Sequence, residues 1–225
     1  MTLYLHKNSA KPEIFCTVQG EGVHAGVPSF FVRLQGCDVH CFFCDEKETW
    51  VRREHFTELL EPEKIIEEFE ILNPLLKRVV ITGGEPTQQE LKPFINKLIE
   101  QNFSVSLETA ATGEFVTDLF EDYHNPLWIT FSPKEVYSKS TKVEDERIWA
   151  RCDEIKFVIA NDEAEEYLLR TIMPKLADNK NHCPIFLVPD WFNFEKMKAK
   201  VIELCMQYPN KFRIGTQTHK FLEMP

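Results

Sequence analysis

The chain has 225 residues, 43% apolar and 28% charged, the profile of an ordinary soluble globular protein with room for one sizeable domain and not clearly for two. A formal net charge of −10 argues against bulk binding to nucleic acid, whose phosphates it would repel, and leaves a small molecule as the default partner. No apolar run approaches the length needed to cross a bilayer, and residues 1–10 lack a charged-then-apolar secretory pattern, so the expected compartment is the cytoplasm.

In chain order, residues 3–18 are expected to carry an edge strand that runs into Gln19-Gly20-Glu21-Gly22. Two glycines around one carboxylate make either a tight turn with a solvated Glu21 or a place where backbone approaches a ligand closely. A strand follows over 29–35, its apolar run interrupted by Arg33. An inward arginine needs an anionic partner or a ligand, a rim salt bridge being the alternative. Directly after this strand, Cys37, Cys41 and Cys44 fall in the spacing C-x3-C-x2-C. Three thiolates can wrap one metal centre, yet leave a four-site centre one ligand short. The spacing also admits a zinc site closed by His40, a redox cluster, or three unrelated buried thiols. Seven cysteines, three of them crowded together, suit metal-bound thiols in a reducing interior better than a disulfide framework. Cys16, Cys152, Cys183 and Cys205 read as packing residues.

Residues 45–60 read as irregular or short-helical, and 62–72 as a helix opened by Pro62 with acids at its positive end. The strand at 78–82 ends in Gly83-Gly84-Glu85-Pro86 and is followed by a helix over 88–101. A strand, a Gly-Gly-acid turn and a helix in succession are how a parallel α/β sheet presents functional groups at its carboxyl edge. Strands are expected at 103–108, 127–131, 154–160 and 184–188. Helices are expected at 114–122, at 162–173 (capped by Asp162) and at 193–208, with an exposed charged segment over 134–147. Residues 211–214 lead to the closing Gln217-Thr218-His219-Lys220. About six strands alternating with helices imply a parallel sheet too small for a closed eight-fold barrel. The expectation is an α/β fold, an open partial (β/α) barrel forming one domain over 1–225, with its site at the strands' carboxyl ends.

The cysteine loop followed by GGEP resembles the radical S-adenosylmethionine (SAM) enzymes, in which three cysteines hold a 4Fe–4S cluster whose open iron binds SAM. With VQGEG, GVPSFFVRLQGC, TGGEP, LET, SPK and the closing QTHK and Pro225, the chain resembles one family of them, the 7-carboxy-7-deazaguanine synthases, from Val18 almost to its end. The resemblance implies a carbon–nitrogen lyase of queuosine biosynthesis that converts 6-carboxy-5,6,7,8-tetrahydropterin to 7-carboxy-7-deazaguanine with loss of ammonia. It implies an electron passed from the cluster to SAM, a 5′-deoxyadenosyl radical that takes hydrogen from C6, and a ring contraction that depends on Mg2+. A flavodoxin-like electron donor and a homodimer are implied as partners.

Residue by residue, the resemblance puts Cys37, Cys41 and Cys44 on the cluster. It puts Phe43, Asp45, Gly84, Glu85, Ala111, Ser132, Pro133, Lys134, Val188 and Asp190 on SAM. Val18, Gln19, Gly20, Glu21, Arg33, Thr109, His219 and the carboxylate of Pro225 hold the substrate. Arg33 can fork onto the substrate carboxylate, and Glu21 can accept from ring N–H groups. Three departures stand out. Glu46 replaces the family's threonine after Cys44-Asp45, and is either a harder Mg2+ ligand or turned to solvent. Leu187-Val188-Pro189-Asp190 lacks the usual glutamine before the proline, and Ala110-Ala111 replaces Asn-Gly. Two other readings are a glycyl-radical-enzyme activase and a non-enzymatic iron–sulfur or zinc protein.

Overall fold

The computed structural model describes residues 1–8, 11–116, 119, 126–137, 146–178 and 183–225. The elements in order are β1 (Leu3–Asn8), β2 (Lys11–Pro12), β3 (Ile14–Val18), β4 (Pro28–Leu34), β5 (Thr57–Leu60), α1 (Pro62–Leu72), β6 (Arg78–Gly83), α2 (Lys92–Glu100), β7 (Ser104–Thr109) and β8 (Leu127–Phe131). They continue with α3 (Glu146–Arg151), β9 (Glu154–Ile159), α4 (Asp162–Tyr167), α5 (Met173–Asp178), β10 (Ile185–Pro189), α6 (Phe194–Gln207), β11 (Phe212–Ile214) and α7 (Thr218–Phe221).

Seven strands run parallel in the order β11-β10-β9-β8-β7-β6-β4, and four antiparallel ones extend the β4 edge. Among the described residues no ladder joins β11 back to that edge, so the barrel stays open. β11 adds one strand to the six read from sequence.

A two-residue period decides which way each strand faces. Phe30, Val32, Leu34, Val79, Ile81, Val105, Leu107, Leu127, Ile129, Ile155, Phe157, Ile185 and Leu187 all point outward into one buried apolar layer. The ladders align them: Phe30 lies opposite Val79 and Val79 opposite Val105, while Ile81 lies opposite Leu107 and Leu107 opposite Ile129. Helices cover this layer. α1 buries Ile65, Ile66 and Phe69, and Phe69 stacks on Phe30 at 4.4 Å. α2 buries Phe94, Ile95 and Leu98, and α6 buries Met197, Val201 and Leu204. Each such large side chain contributes roughly 1.5–3 kcal/mol by leaving water. The alternate positions, among them Arg33, Thr82, Glu108, Lys156 and Val188, face inward around one cavity.

Several local expectations change. Residues 57–60, read as irregular, form β5 because Thr57–Leu60 can ladder antiparallel along β1. The helix expected from 88 starts at Lys92, after a 3-10 turn at Pro86–Gln88 whose N–H of Thr87 is taken by Glu85. The cap of α4 is Asn161, whose side chain accepts the Ala164 N–H, so Asp162 sits inside the first turn. That helix also outruns 173, passing through a π-helical turn at Leu168–Ile172 into α5. The expected helix at 114–122 and the charged segment at 134–147 lie largely outside the described residues.

Candidate active site

The inward faces and the loops after the strands enclose a cavity of about 550 Å³, within the range of small-molecule sites. One wall is the cysteine loop. Cys37, Cys41 and Cys44 all line the cavity, with Val39, Cys41 and Ala110 forming a small apolar cluster that Phe43 and Tyr137 pack against. Burial pushes the Cys37 thiol up to about 12, and burial raises Cys41 and Cys44 as well. Against this, the Lys134 charge favours the thiolate of Cys41, while at Cys44 the Glu46 backbone and the Trp50 side chain oppose burial first and Lys134 after them. Three desolvated thiols on one wall are a donor set that gains its charge balance from a bound cationic centre. His40 does not join them; its ring stacks on Trp50 at 4.7 Å and it does not line the cavity. A Cys3His zinc site is therefore not what the fold assembles here.

A second wall is the turn after β6. Gly84 has to be glycine: a Cβ there would stand 2.1 Å from the carbonyl oxygen of Gly36, the backbone leading into the cysteine loop. That close approach is secured by Gly84 N–H to Leu34 O (2.9 Å) and Glu85 N–H to Gly36 O (2.7 Å). Glu85 is only 2% exposed. Its Oε1 accepts the Thr87 N–H (3.0 Å), the Thr87 hydroxyl (2.5 Å) and the Thr109 hydroxyl, and its Oε2 accepts the Ala110 N–H (2.7 Å). Burial raises its carboxyl, these four donors opposing the shift. Oε2, with one partner, keeps the capacity for a ligand's donor. Thr109, expected at the substrate, thus also ties β7 to the GGEP turn. Ala111 takes a left-handed φ of 57°, a conformation in which a side chain is strained, and it packs into the core while Ala110 lines the cavity. Pro133 likewise stays off the lining, between Ser132 and Lys134, which reach it. Lys134 Nζ donates to Ser132 Oγ (2.8 Å) and lies 5.5 Å from the Phe43 ring centre.

The floor is charged. Lys156 Nζ sits 2.6 Å from Glu21 Oε2 and 3.2 Å from Glu108 Oε2. Burial would lower Lys156, but Glu108 and Glu21 outweigh it and push it up; burial would raise Glu108, but Lys156 holds it down. Gln19 Nε2 donates to Glu108 Oε1 (2.8 Å) and Gln217 Nε2 to Glu21 Oε1 (3.1 Å). Arg33 does not stand free: its Nε reaches Glu13 Oε2 at 2.5 Å and its Nη2 reaches Glu46 Oε1 at 3.2 Å. Glu46 therefore lines the site, with its side chain still 37% exposed to solvent. Burial raises its carboxyl, and Arg33 opposes that.

The C-terminal segment closes the top. Thr218 N–H donates to Gly20 O (3.0 Å), and a Cβ at Gly20 would fall 2.2 Å from His219 Nδ1. Burial lowers His219, keeping the imidazole neutral. Burial would raise Asp45, yet the Lys220 ammonium at 2.5 Å holds it below the usual carboxylate range. Val18, Val188, Asp190 and Pro225 complete the lining. The residues not assigned to the site from sequence are Lys156, Glu13, Glu108 (inside LET) and Gln217 (inside QTHK). Glu154 and Lys156, two apart in an otherwise apolar buried strand, were the available signal.

Comparison with known proteins agrees with this geometry. The sequence description of the Radical SAM superfamily matches residues 31–157. A 7-carboxy-7-deazaguanine synthase of Synechocystis sp. is 33% identical over 217 residues, covering 93% of this chain and 90% of the relative. One from Escherichia coli K12 is 33% identical over 233 residues, covering 94% and 97%. One from Flavobacterium psychrophilum is 32% identical, covering 95% and 91%. The crystal structure of QueE from Escherichia coli superposes with a TM-score of 0.76 at 27% identity, covering 97% of this chain and 95% of that one.

Proposed function

This chain belongs to the 7-carboxy-7-deazaguanine synthases of the radical SAM superfamily, and we propose that it converts 6-carboxy-5,6,7,8-tetrahydropterin to 7-carboxy-7-deazaguanine with loss of ammonia, a lyase step of queuosine biosynthesis. The observation that carries the reading is that the cysteine trio, the GGEP turn and the Gln19–Glu21 turn, from distant parts of the chain, line one cavity.

Cys37, Cys41 and Cys44 would hold the 4Fe–4S cluster. When bound, cluster and SAM together supply the electron and the hydrogen-abstracting radical. The chain binds, orients and keeps water away. Phe43, Asp45, Gly84, Glu85, Ser132, Lys134, Val188 and Asp190 form the SAM side, with Ala111 and Pro133 behind them. Val18, Gln19, Gly20, Glu21, Arg33, Thr109, His219 and Pro225 form the substrate side.

Arg33 with Glu13 and Glu46 carries a net charge of −1 when all are ionised. A substrate carboxylate that takes the place of Glu46 on Arg33 Nη2 leaves Glu46 free to hold Mg2+ through a hard oxygen. Titrating substrate into cluster-loaded protein with and without Mg2+ tests this. Binding should tighten with Mg2+ in the native protein and lose that dependence in Glu46→Ala; Mg2+-independent binding in the native protein would overturn the assignment. The reading also includes a single domain, a flavodoxin-like donor, a cytoplasmic location and a homodimer, the last supported by the outer edge of β11, with which no further strand pairs among the described residues. Among the described residues no helix is long and apolar enough to cross a membrane.

A further inference from the structure

The charged trio on the cavity floor has a role that neither the cysteine loop nor the GGEP turn supplies. Lys156 stands between Glu21 (2.6 Å) and Glu108 (3.2 Å), and all three side chains are less than one-fifth exposed. Gln19 braces both acids, donating through Nε2 to Glu108 (2.8 Å) and accepting the Glu21 N–H at Oε1 (3.1 Å). Gln217 braces Glu21 from the C-terminal segment (3.1 Å). Lower on the same face, Glu154 anchors the far end of the turn by accepting the Val23 N–H (2.8 Å) and the Thr130 hydroxyl (2.7 Å).

Two carboxylates this deep cannot both stay ionised beside each other without a cation, because like charges in a poorly solvated site drive one of them to take a proton. A proton taken up by the pair would leave fewer acceptor sites where a ring N–H needs one. The other charges facing the trio do not replace Lys156: Arg33 is forked onto Glu13 and Glu46, Lys134 leans on Ser132, Lys220 is paired with Asp45, and His219 is held neutral. Glu154 adds a further acid.

We infer that Lys156 is a positioning residue: lodged between Glu21 and Glu108, it balances the charge of the pair and fixes Glu21 as the acceptor for the N–H edge of the substrate ring. The inference rests on the reading of Glu21 as a substrate contact. Removing Lys156 takes the trio from −1 to −2, and removing the Glu108 charge as well returns it to −1.

The test is KM and kcat of the holoenzyme for 6-carboxytetrahydropterin from pH 6.5 to 9, each variant taken as a ratio to the native protein. Lys156→Met raises KM roughly tenfold or more at pH 7, the order expected when a buried charge loses its partner, and the ratio changes with pH as the uncompensated pair sheds its proton. Lys156→Met combined with Glu108→Gln recovers most of the loss and flattens the pH dependence. A double variant worse than the single, or a KM ratio that does not change with pH, overturns the inference and makes Lys156 merely structural. Lys156→Gln gives the same readout if the methionine variant does not fold. Glu21→Gln separates the two levels: an unchanged KM there removes Glu21 as a substrate contact, whereas a raised KM with a pH-flat Lys156→Met refutes the role of Lys156 alone.

Discussion

Thr87→Val swaps a hydroxyl for a methyl of nearly the same shape and takes two buried hydrogen bonds with it. Thr87 is fully buried; its hydroxyl donates to Glu85 Oε1 (2.5 Å) and accepts the Gly113 N–H (2.9 Å). A hydrogen bond to a charged acceptor contributes about 1.5–3 kcal/mol, and a buried N–H left without a partner costs about 1–3 kcal/mol. The sum is roughly 3–5 kcal/mol, a large part of the 5–15 kcal/mol that ordinarily holds a domain. Urea unfolding of the cluster-free protein under reducing conditions should show the midpoint lowered by about 1–1.7 M at unchanged slope, for a slope of about 3 kcal/mol/M. Thr87→Ser keeps the hydroxyl and should lose far less. The same valine variant should raise the KM for SAM, because Glu85 and the turn it anchors line the cavity. A valine variant within about 1 kcal/mol of the native protein, or a serine variant equally destabilised, refutes the view that this hydroxyl joins the GGEP turn to Gly113.

Gly20→Ala forces the His219 ring out of place, since the new Cβ would stand 2.2 Å from Nδ1; substrate kcat/KM should fall by about 10²-fold, the scale of an ångström-sized misplacement, with the unfolding midpoint little changed. Asp45, held below its unfolded value of 3.8, binds fewer protons folded than unfolded, so its pairing with Lys220 adds stability above that pH that is lost as pH falls through the folded value. Lys220→Met should therefore differ most from the native protein near pH 5 and converge with it in strong acid, as read from unfolding midpoints across pH 2–5. Serine at Cys37, Cys41 or Cys44 should abolish the iron–sulfur absorption after anaerobic reconstitution. Alanine at Cys152 or Cys183, whose sulfurs lie 3.8 Å apart and do not line the cavity, should leave iron content intact.

The parallel strands were legible because their outward positions are continuous: Val79 and Ile81, Val105 and Leu107, or Ile155 and Phe157 announce buried strands before any contact is known. The cysteine loop and the GGEP turn were legible because metal and backbone geometry demand particular residues at fixed offsets. β5 was not, because Thr57–Leu60 becomes a strand only through its ladder with β1, more than fifty residues earlier. Lys156 was hidden for a related reason. Its meaning comes from Glu21 and Glu108, which reach it from two other elements; the one local hint, two charges two apart in an apolar strand, does not say what Lys156 pairs with. Arg33 was recognised as needing an anion, but Glu13 and Glu46 as its partners emerge only when β3 and the cysteine loop are folded beside β4.

Anaerobic turnover of the reconstituted protein with SAM, dithionite, Mg2+ and 6-carboxytetrahydropterin, followed by mass detection of the product, decides whether the cavity carries out the ring contraction. The expected product is 7-carboxy-7-deazaguanine, formed only when Cys37, Cys41 and Cys44 are all present. SAM cleaved with the pterin untouched would contradict that expectation.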